Sequence, residues 1–198
     1  MDIIFDIGKV LIDFDYEEYV ERIVGRECAD EVVAATLANP DWIELDRGVL
    51  MIEDVLQKFI AKAPQYEREI RLVFAHLGEC PKVKESTVPM IRELKARGHR
   101  VFFLSNYFEF LMHSAPWVLE FTKLMDGGIF SCFEKLVKPD AAIYDLLCKR
   151  YGISKDNCVF IDDSMKNVQG ARDYGIRAIL YTGQDTVQLF SEIGINDK

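Results

Sequence analysis

Three short apolar runs, each ending abruptly in polar residues, constrain this chain more than any other feature. Ile3-Ile4-Phe5 stops at Asp6, Val101-Phe102-Phe103-Leu104 stops at Ser105-Asn106, and Val159-Phe160-Ile161 stops at Asp162-Asp163. A run of this length without polar alternation suits a strand buried on both faces, as in a parallel sheet. In open α/β sheets ligands bind beyond the carboxyl ends of the strands. The polar residues that close these runs are therefore placed for chemistry.

Between the first two runs the periodicity is helical. Tyr16, Tyr19, Val20, Ile23 and Val24 define one face of a helix, and a second runs from Asp30 through Val32, Val33 and Leu37 to Asn39-Pro40. A third begins near Glu53, and a fourth carries Tyr66, Ile70, Val73 and Phe74 and closes at Gly78. Residues 16 to 80 offer no convincing strand, and the segment is too long for a single crossover helix. It reads as a helical domain of residues 15–81 inserted into a core of residues 1–14 and 82–198.

Strand and helix then alternate. A helix through Met90, Ile91 and Leu94 precedes the second run, and residues 107 to 126 read as a helix broken at Pro116. Ile129-Phe130 is a short strand, Pro139 is expected as the first residue of a helix ending at Gly152, and a helix through Val168 and Ala171 stops at Gly175. Ala178–Tyr181 is the last strand. Such alternation predicts an α/β fold with a parallel, Rossmann-like sheet and helices on both faces.

Composition narrows the function classes. With 24 basic against 33 acidic residues and a net charge of -9, the chain has no basic stripe for nucleic acid and little attraction to anionic membranes. Five cysteines without a CxxC pair point to reduced thiols, and no run approaches the ~18 apolar residues of a membrane span. The expectation is a cytoplasmic protein, monomeric or weakly dimeric, with a small-molecule partner.

The strand ends offer Asp6, Ser105 with Asn106, Lys138, and the Asp162-Asp163 pair. Three converging carboxylates with no basic partner among them would repel one another, and a hard cation such as Mg²⁺ would relieve that repulsion. Ser105 and Asn106 can donate hydrogen bonds, and Lys138 supplies a point charge suited to phosphate. Asp6 would then be the nucleophile, because carboxylates form acyl-phosphate intermediates that water hydrolyses.

In this order FDIGKVLID, LSN, KPDAAIY and FIDDSMKNVQGARDYGI resemble the motifs of the haloacid dehalogenase-like hydrolases that carry a helical cap after the first strand. The similarity is greatest to small cytoplasmic sugar-phosphate phosphatases that read DxGxV in the first motif. The resemblance implies a catalytic set of Asp6, Ser105 and Lys138, with Ser105, Asn106 and Lys138 on the substrate phosphate. It also implies Mg²⁺ held by Asp6, the Gly8 carbonyl and Asp163, with Asp162 assisting, and a cap that sets specificity.

One departure stands out. Most phosphatases of this family carry a second Asp two residues after the nucleophile, to protonate the leaving alcohol and then activate water. Gly8 occupies that position here. General acid–base help is typically worth ~10²–10⁴-fold, so a slow enzyme, or a proton from elsewhere, is expected. Lys9, Asp13 and Asp15 are close in sequence, whereas Arg47-Gly48 reads as a turn and Trp42 as a packing residue. Two rival readings share the motifs: a 2-haloacid dehalogenase, which needs no metal, and a non-catalytic phosphate-binding or regulatory protein.

Overall fold

The computed structural model describes residues 1–195. Five parallel strands form the sheet: β1 (Asp2–Phe5), β4 (Arg100–Ser105), β5 (Gly127–Phe130), β6 (Cys158–Asp162) and β7 (Arg177–Leu180). Their spatial order is β5-β4-β1-β6-β7, so β1 is central, with β4 on one side and β6 on the other. Phe5 is level with Phe103 and with Ile161, and the Asp6 amide donates to the Ile161 carbonyl at 2.8 Å. This register brings Asp6, Asp162 and the end of β4 to one rim.

Alternation along each strand explains why both faces are apolar. Ile3, Phe5, Val101, Phe103, Val159 and Ile161 belong to one buried cluster, with α6 (Thr87–Ala96) and α11 (Thr186–Ile193) packed over it. Ile4, Phe102, Leu104 and Phe160 belong to the other, covered by α9 (Ala141–Tyr151) and α10 (Met165–Tyr174). Helix α11 has a capping box at Asp185 and Gln188, a signal absent from the sequence reading above.

Between β1 and α6 lie five further α-helices: α1 (Tyr16–Val24), α2 (Arg26–Ala35), α3 (Trp42–Arg47), α4 (Ile52–Lys62) and α5 (Glu67–Ala75). Three differences from the sequence reading arise here. Helix α2 starts at Arg26, directly after Gly25, so Asp30 lies inside it and does not mark its beginning. Helix α3 was not expected, because six residues are too few to display a period. The chain also leaves for the helices and returns through a two-stranded ribbon, β2 (Ile12–Asp13) against β3 (Lys82–Val83). The apolar interior of α1 to α5 is continuous with the first sheet face, joined around Trp42, whose ring meets Tyr16, Phe59, Phe74 and Phe108 at centroid distances of 5.2 to 6.1 Å.

On the core side, residues 107 to 126 divide into α7 (Glu109–Ser114) and a 3₁₀ turn from Pro116 to Leu124, broken where expected. Helix α8 (Ser131–Glu134) follows β5 directly. Pro139 does not open α9, which begins two residues later at Ala141; it sits in a turn closed by the Asp140 amide on the Val137 carbonyl. That turn packs against α10 at Gly170, where a Cβ would lie 2.6 Å from the Pro139 Cβ and 2.8 Å from its carbonyl oxygen. Gly170→Val should therefore destabilise the protein by about 1–3 kcal/mol, the usual range for forced overpacking, as read by urea unfolding.

Candidate active site

At the carboxyl rim of the sheet one lysine ammonium serves two carboxylates. Lys138 Nζ lies 2.8 Å from Asp6 Oδ1 and 2.6 Å from Asp162 Oδ2, and its side chain is 1% exposed. The sequence reading of three acids without a basic partner is thus corrected: Lys138, drawn there as a phosphate contact, is already their partner. Burial would pull the ammonium down, but the two carboxylates outweigh that effect and hold it above its ordinary value.

One positive charge cannot neutralise three carboxylates. Burial pushes Asp6 up, Lys138 draws it back, Asp162 and Asp163 push it up again, and the carboxyl settles at about 7. Asp163, half-buried, is likewise raised, by burial and then by Asp162. Carboxylate oxygens of Asp6, Asp162 and Asp163 lie within 4.8 Å of one another. An all-oxygen set of this charge and spacing fits a hard divalent cation.

Each side chain is fixed by its neighbours. The Asp6 carboxylate accepts from the Ile7 amide at 2.7 Å. Asp162 accepts from the Ser164 amide at 2.8 Å and from both approaches of the Asn167 amide, at 3.1 and 3.2 Å, so Asn167 orients an acid and does not face the cavity. Asn106 grips the main chain of Lys138 twice: its Nδ2 donates to the Lys138 carbonyl at 3.1 Å, and its Oδ1 accepts from the Lys138 amide at 2.8 Å. Its side chain thereby positions Lys138 and keeps one Nδ2 hydrogen free of that clamp. Ser105, 1% exposed, has a hydroxyl with no hydrogen-bond partner among the described residues, a cost of roughly 1–3 kcal/mol that a ligand oxygen would remove.

A cavity of about 190 Å³ opens above this rim. Asp6, Gly8, Lys9, Asn106 and Asp163 form its floor and polar wall; Lys138, Ser105 and Asp162 are buried behind them. At Gly8 a Cβ would meet nothing within 4 Å, so the space that a side chain would fill is open. Lys9 takes a left-handed φ of 59° in the turn after the strand, and its carbonyl accepts from Lys84 at 2.6 Å. Asp13 turns instead toward Lys84, 3.7 Å away, and neither Asp13 nor Asp15 reaches the cavity wall.

The opposite wall is apolar and comes largely from elsewhere in the chain. Phe14, Leu37 and Trp42 meet Phe108 and Leu111 across the opening. Trp42 is thus both a packing residue and a wall of the cavity. Sequence reasoning passed over Asp46 entirely. This residue of α3 is buried, lines the same cavity, and is pushed up to about 7 by burial, with Lys138 lowering it and Asp6 raising it. The only sequence signal would have been an acid beside Arg47-Gly48 in a segment too short to read.

The family model described as haloacid dehalogenase-like hydrolase matches residues 3–175. The chain belongs to that family. Phosphatase MT3486 of Mycobacterium tuberculosis is 34% identical over 90% of this hydrolase and 85% of its own length. The sesquiterpene phosphatase astK of Aspergillus oryzae is 24% identical over 87% and 85% respectively. Among solved structures, the HAD family enzyme bt-2542 of Bacteroides thetaiotaomicron, in complex with magnesium and inorganic phosphate, superposes with a TM-score of 0.72 at 19% identity, covering 96% of this chain and 98% of that one. No helix among the described residues is long and apolar enough to cross a membrane.

Removing the shared ammonium should be severe. Lys138→Met leaves two buried carboxylates facing each other, and breaking a buried pair in this way costs about 3–5 kcal/mol, to be read as the loss in urea-unfolding free energy.

Proposed function

We propose that this hydrolase is a Mg²⁺-dependent phosphomonoesterase that acts on a small phosphorylated metabolite through an aspartyl-phosphate on Asp6. The observation that carries the reading is the excess of charge at the rim: three carboxylates within 4.8 Å of one another against one ammonium. That set favours a divalent cation and, above it, a phosphoryl group. A dehalogenase has no need of the cation, so the same observation favours the phosphatase.

Asp6, the Gly8 carbonyl and Asp163 would hold Mg²⁺, with Asp162 oriented behind them by Lys138, Ser164 and Asn167. When bound, the ion withdraws charge from the phosphoryl oxygens and lowers the pKa of Asp6. The chain's own residues do the rest. Asp6 Oδ2, the oxygen not committed to Lys138 and the Ile7 amide, attacks phosphorus. The Ser105 hydroxyl and the free Asn106 hydrogen donate to phosphoryl oxygens, while Lys138 stabilises the charge that accumulates beside Asp6.

Residues 15–81 act in this reading as the cap that closes over the substrate. Its contribution to the cavity, with Phe108 and Leu111 opposite, is mainly apolar. A wall of this kind suits an alkyl or aryl body better than a polyhydroxylated sugar, since unpaired hydroxyls buried against it would each cost free energy. Sugar phosphates therefore rank below apolar phosphate esters as substrates.

A panel of aryl, alkyl and sugar phosphates assayed with Mg²⁺ and with EDTA tests the reading. Turnover should vanish with EDTA and fall at least ~10³-fold in Asp6→Asn, whose amide cannot act as the nucleophile. Without any substrate, Mg²⁺ at 100-fold its Kd should raise the unfolding free energy by about 2.7 kcal/mol. Activity that survives EDTA, or no activity on any ester, sinks the proposal.

A further inference from the structure

The alcohol of an alkyl phosphate cannot leave as a bare alkoxide at useful rates, so the bridging oxygen needs a proton donor on the cavity wall. If the phosphatase reading above holds, Asp6 is occupied as the nucleophile and Asp163 faces the cation. Lys9 is exposed to solvent, and its left-handed turn is held through its carbonyl by Lys84. The Tyr107 hydroxyl is buried without a partner among the described residues and is held well above its usual range by burial, which makes it a poor proton donor. Gly8 has no side chain. One titratable group remains on the wall.

We infer that Asp46, carried in by α3, is the general acid and base of this enzyme, supplying from the helical insert the proton transfer that Gly8 cannot. Its position is anchored on both sides. The Ser131 hydroxyl, at the end of β5, donates to the Asp46 carbonyl at 2.6 Å, and Lys135 Nζ donates to the Gly48 carbonyl. Gly48 takes a φ of 65° and lies so close to α8 that a Cβ there would stand 2.7 Å from the Cys132 carbonyl. Arg47 Nη1 approaches Asp140 at 3.9 Å. These contacts press the end of α3 onto the rim of the sheet, above Asp6.

The side chain itself is uncommitted. Among the described residues no hydrogen bond or ion pair holds the Asp46 carboxyl, although it is buried beside Asp6 and Lys138. It lines the same cavity as Asp6 and Asn106, so its oxygens face the space a phosphate ester would fill. In the first half-reaction an Asp6 oxygen bonds to phosphorus as the bond to the ester oxygen breaks, and the Asp46 carboxylic acid gives its proton to that oxygen, releasing the alcohol. In the second, the Asp46 carboxylate takes a proton from water, whose oxygen attacks phosphorus. The phosphorus bond to Asp6 breaks, phosphate leaves, and both side chains return to their starting states.

The test compares wild type, Asp46→Asn and the double variant Asp46→Asn/Gly8→Asp on p-nitrophenyl phosphate and on the best alkyl phosphate of the panel. Asp46→Asn should lose ~10²–10⁴-fold in kcat on the alkyl ester. On p-nitrophenyl phosphate, whose leaving group needs no proton, it should still release about one equivalent of nitrophenolate in a burst, followed by slow turnover. Gly8→Asp, which has room for its side chain, should restore alkyl turnover at least tenfold, and the Mg²⁺-induced rise in unfolding free energy should persist in both variants. Equal losses on the two esters with no burst, or no loss at all, overturns the role of Asp46 while leaving the phosphatase reading intact. A wild type inactive on every ester overturns the phosphatase reading first.

Discussion

The buried ammonium of Lys138, held between Asp6 and Asp162, is the interaction on which the rest of the site depends. Two carboxylates at adjacent strand ends would repel each other in a low-dielectric rim, and a single flexible lysine could not hold them without help. Its main chain is therefore clamped by Asn106, and the turn that follows is seated against α10 through the missing side chain of Gly170. Charge balance at this point is incomplete by design of the sheet register: Asp163 follows on β6 and brings a third negative charge to the same rim. The remaining deficit is what a divalent cation would offset in the proposed phosphatase.

A second dependence runs between the helical insert and the sheet. Their apolar interiors are continuous, and Trp42 packs against rings from both while also walling the cavity. The same α3 carries Asp46 and is seated by Ser131, Lys135 and the bare backbone of Gly48. In the proposed reaction, substrate selection and proton transfer would both depend on this one short element, whose placement is set by hydrogen bonds to main-chain carbonyls.

Much of the core was legible because its signals are local. Ile3 to Phe5, Val101 to Leu104 and Val159 to Ile161 are continuous apolar runs, and burial on both faces of a parallel sheet is the one environment that asks for that pattern. The helices α1, α4 and α5 appeared through their period, and the break at Pro116 through its missing amide. What escaped was short or depended on distant partners. The ribbon of Ile12–Asp13 with Lys82–Val83 joins residues some seventy positions apart, α3 is too brief for periodicity, and Pro139 was placed in a helix that starts only at Ala141.

By itself the sequence determined the alternating α/β architecture and the acids, hydroxyl and lysine that end its strands, since both follow from hydrophobic period and from the rule that strand ends face the ligand. Only the tertiary structure decided how those groups divide the work. It turned Lys138 into the partner of two carboxylates and made Asn106 a clamp on its backbone. It also left the Ser105 hydroxyl without a partner among the described residues and brought Asp46, forty positions from Asp6, to the wall of the same cavity. The physical reason is that charge pairing and desolvation depend on through-space distance in a low-dielectric rim, a quantity that no local pattern of residues encodes.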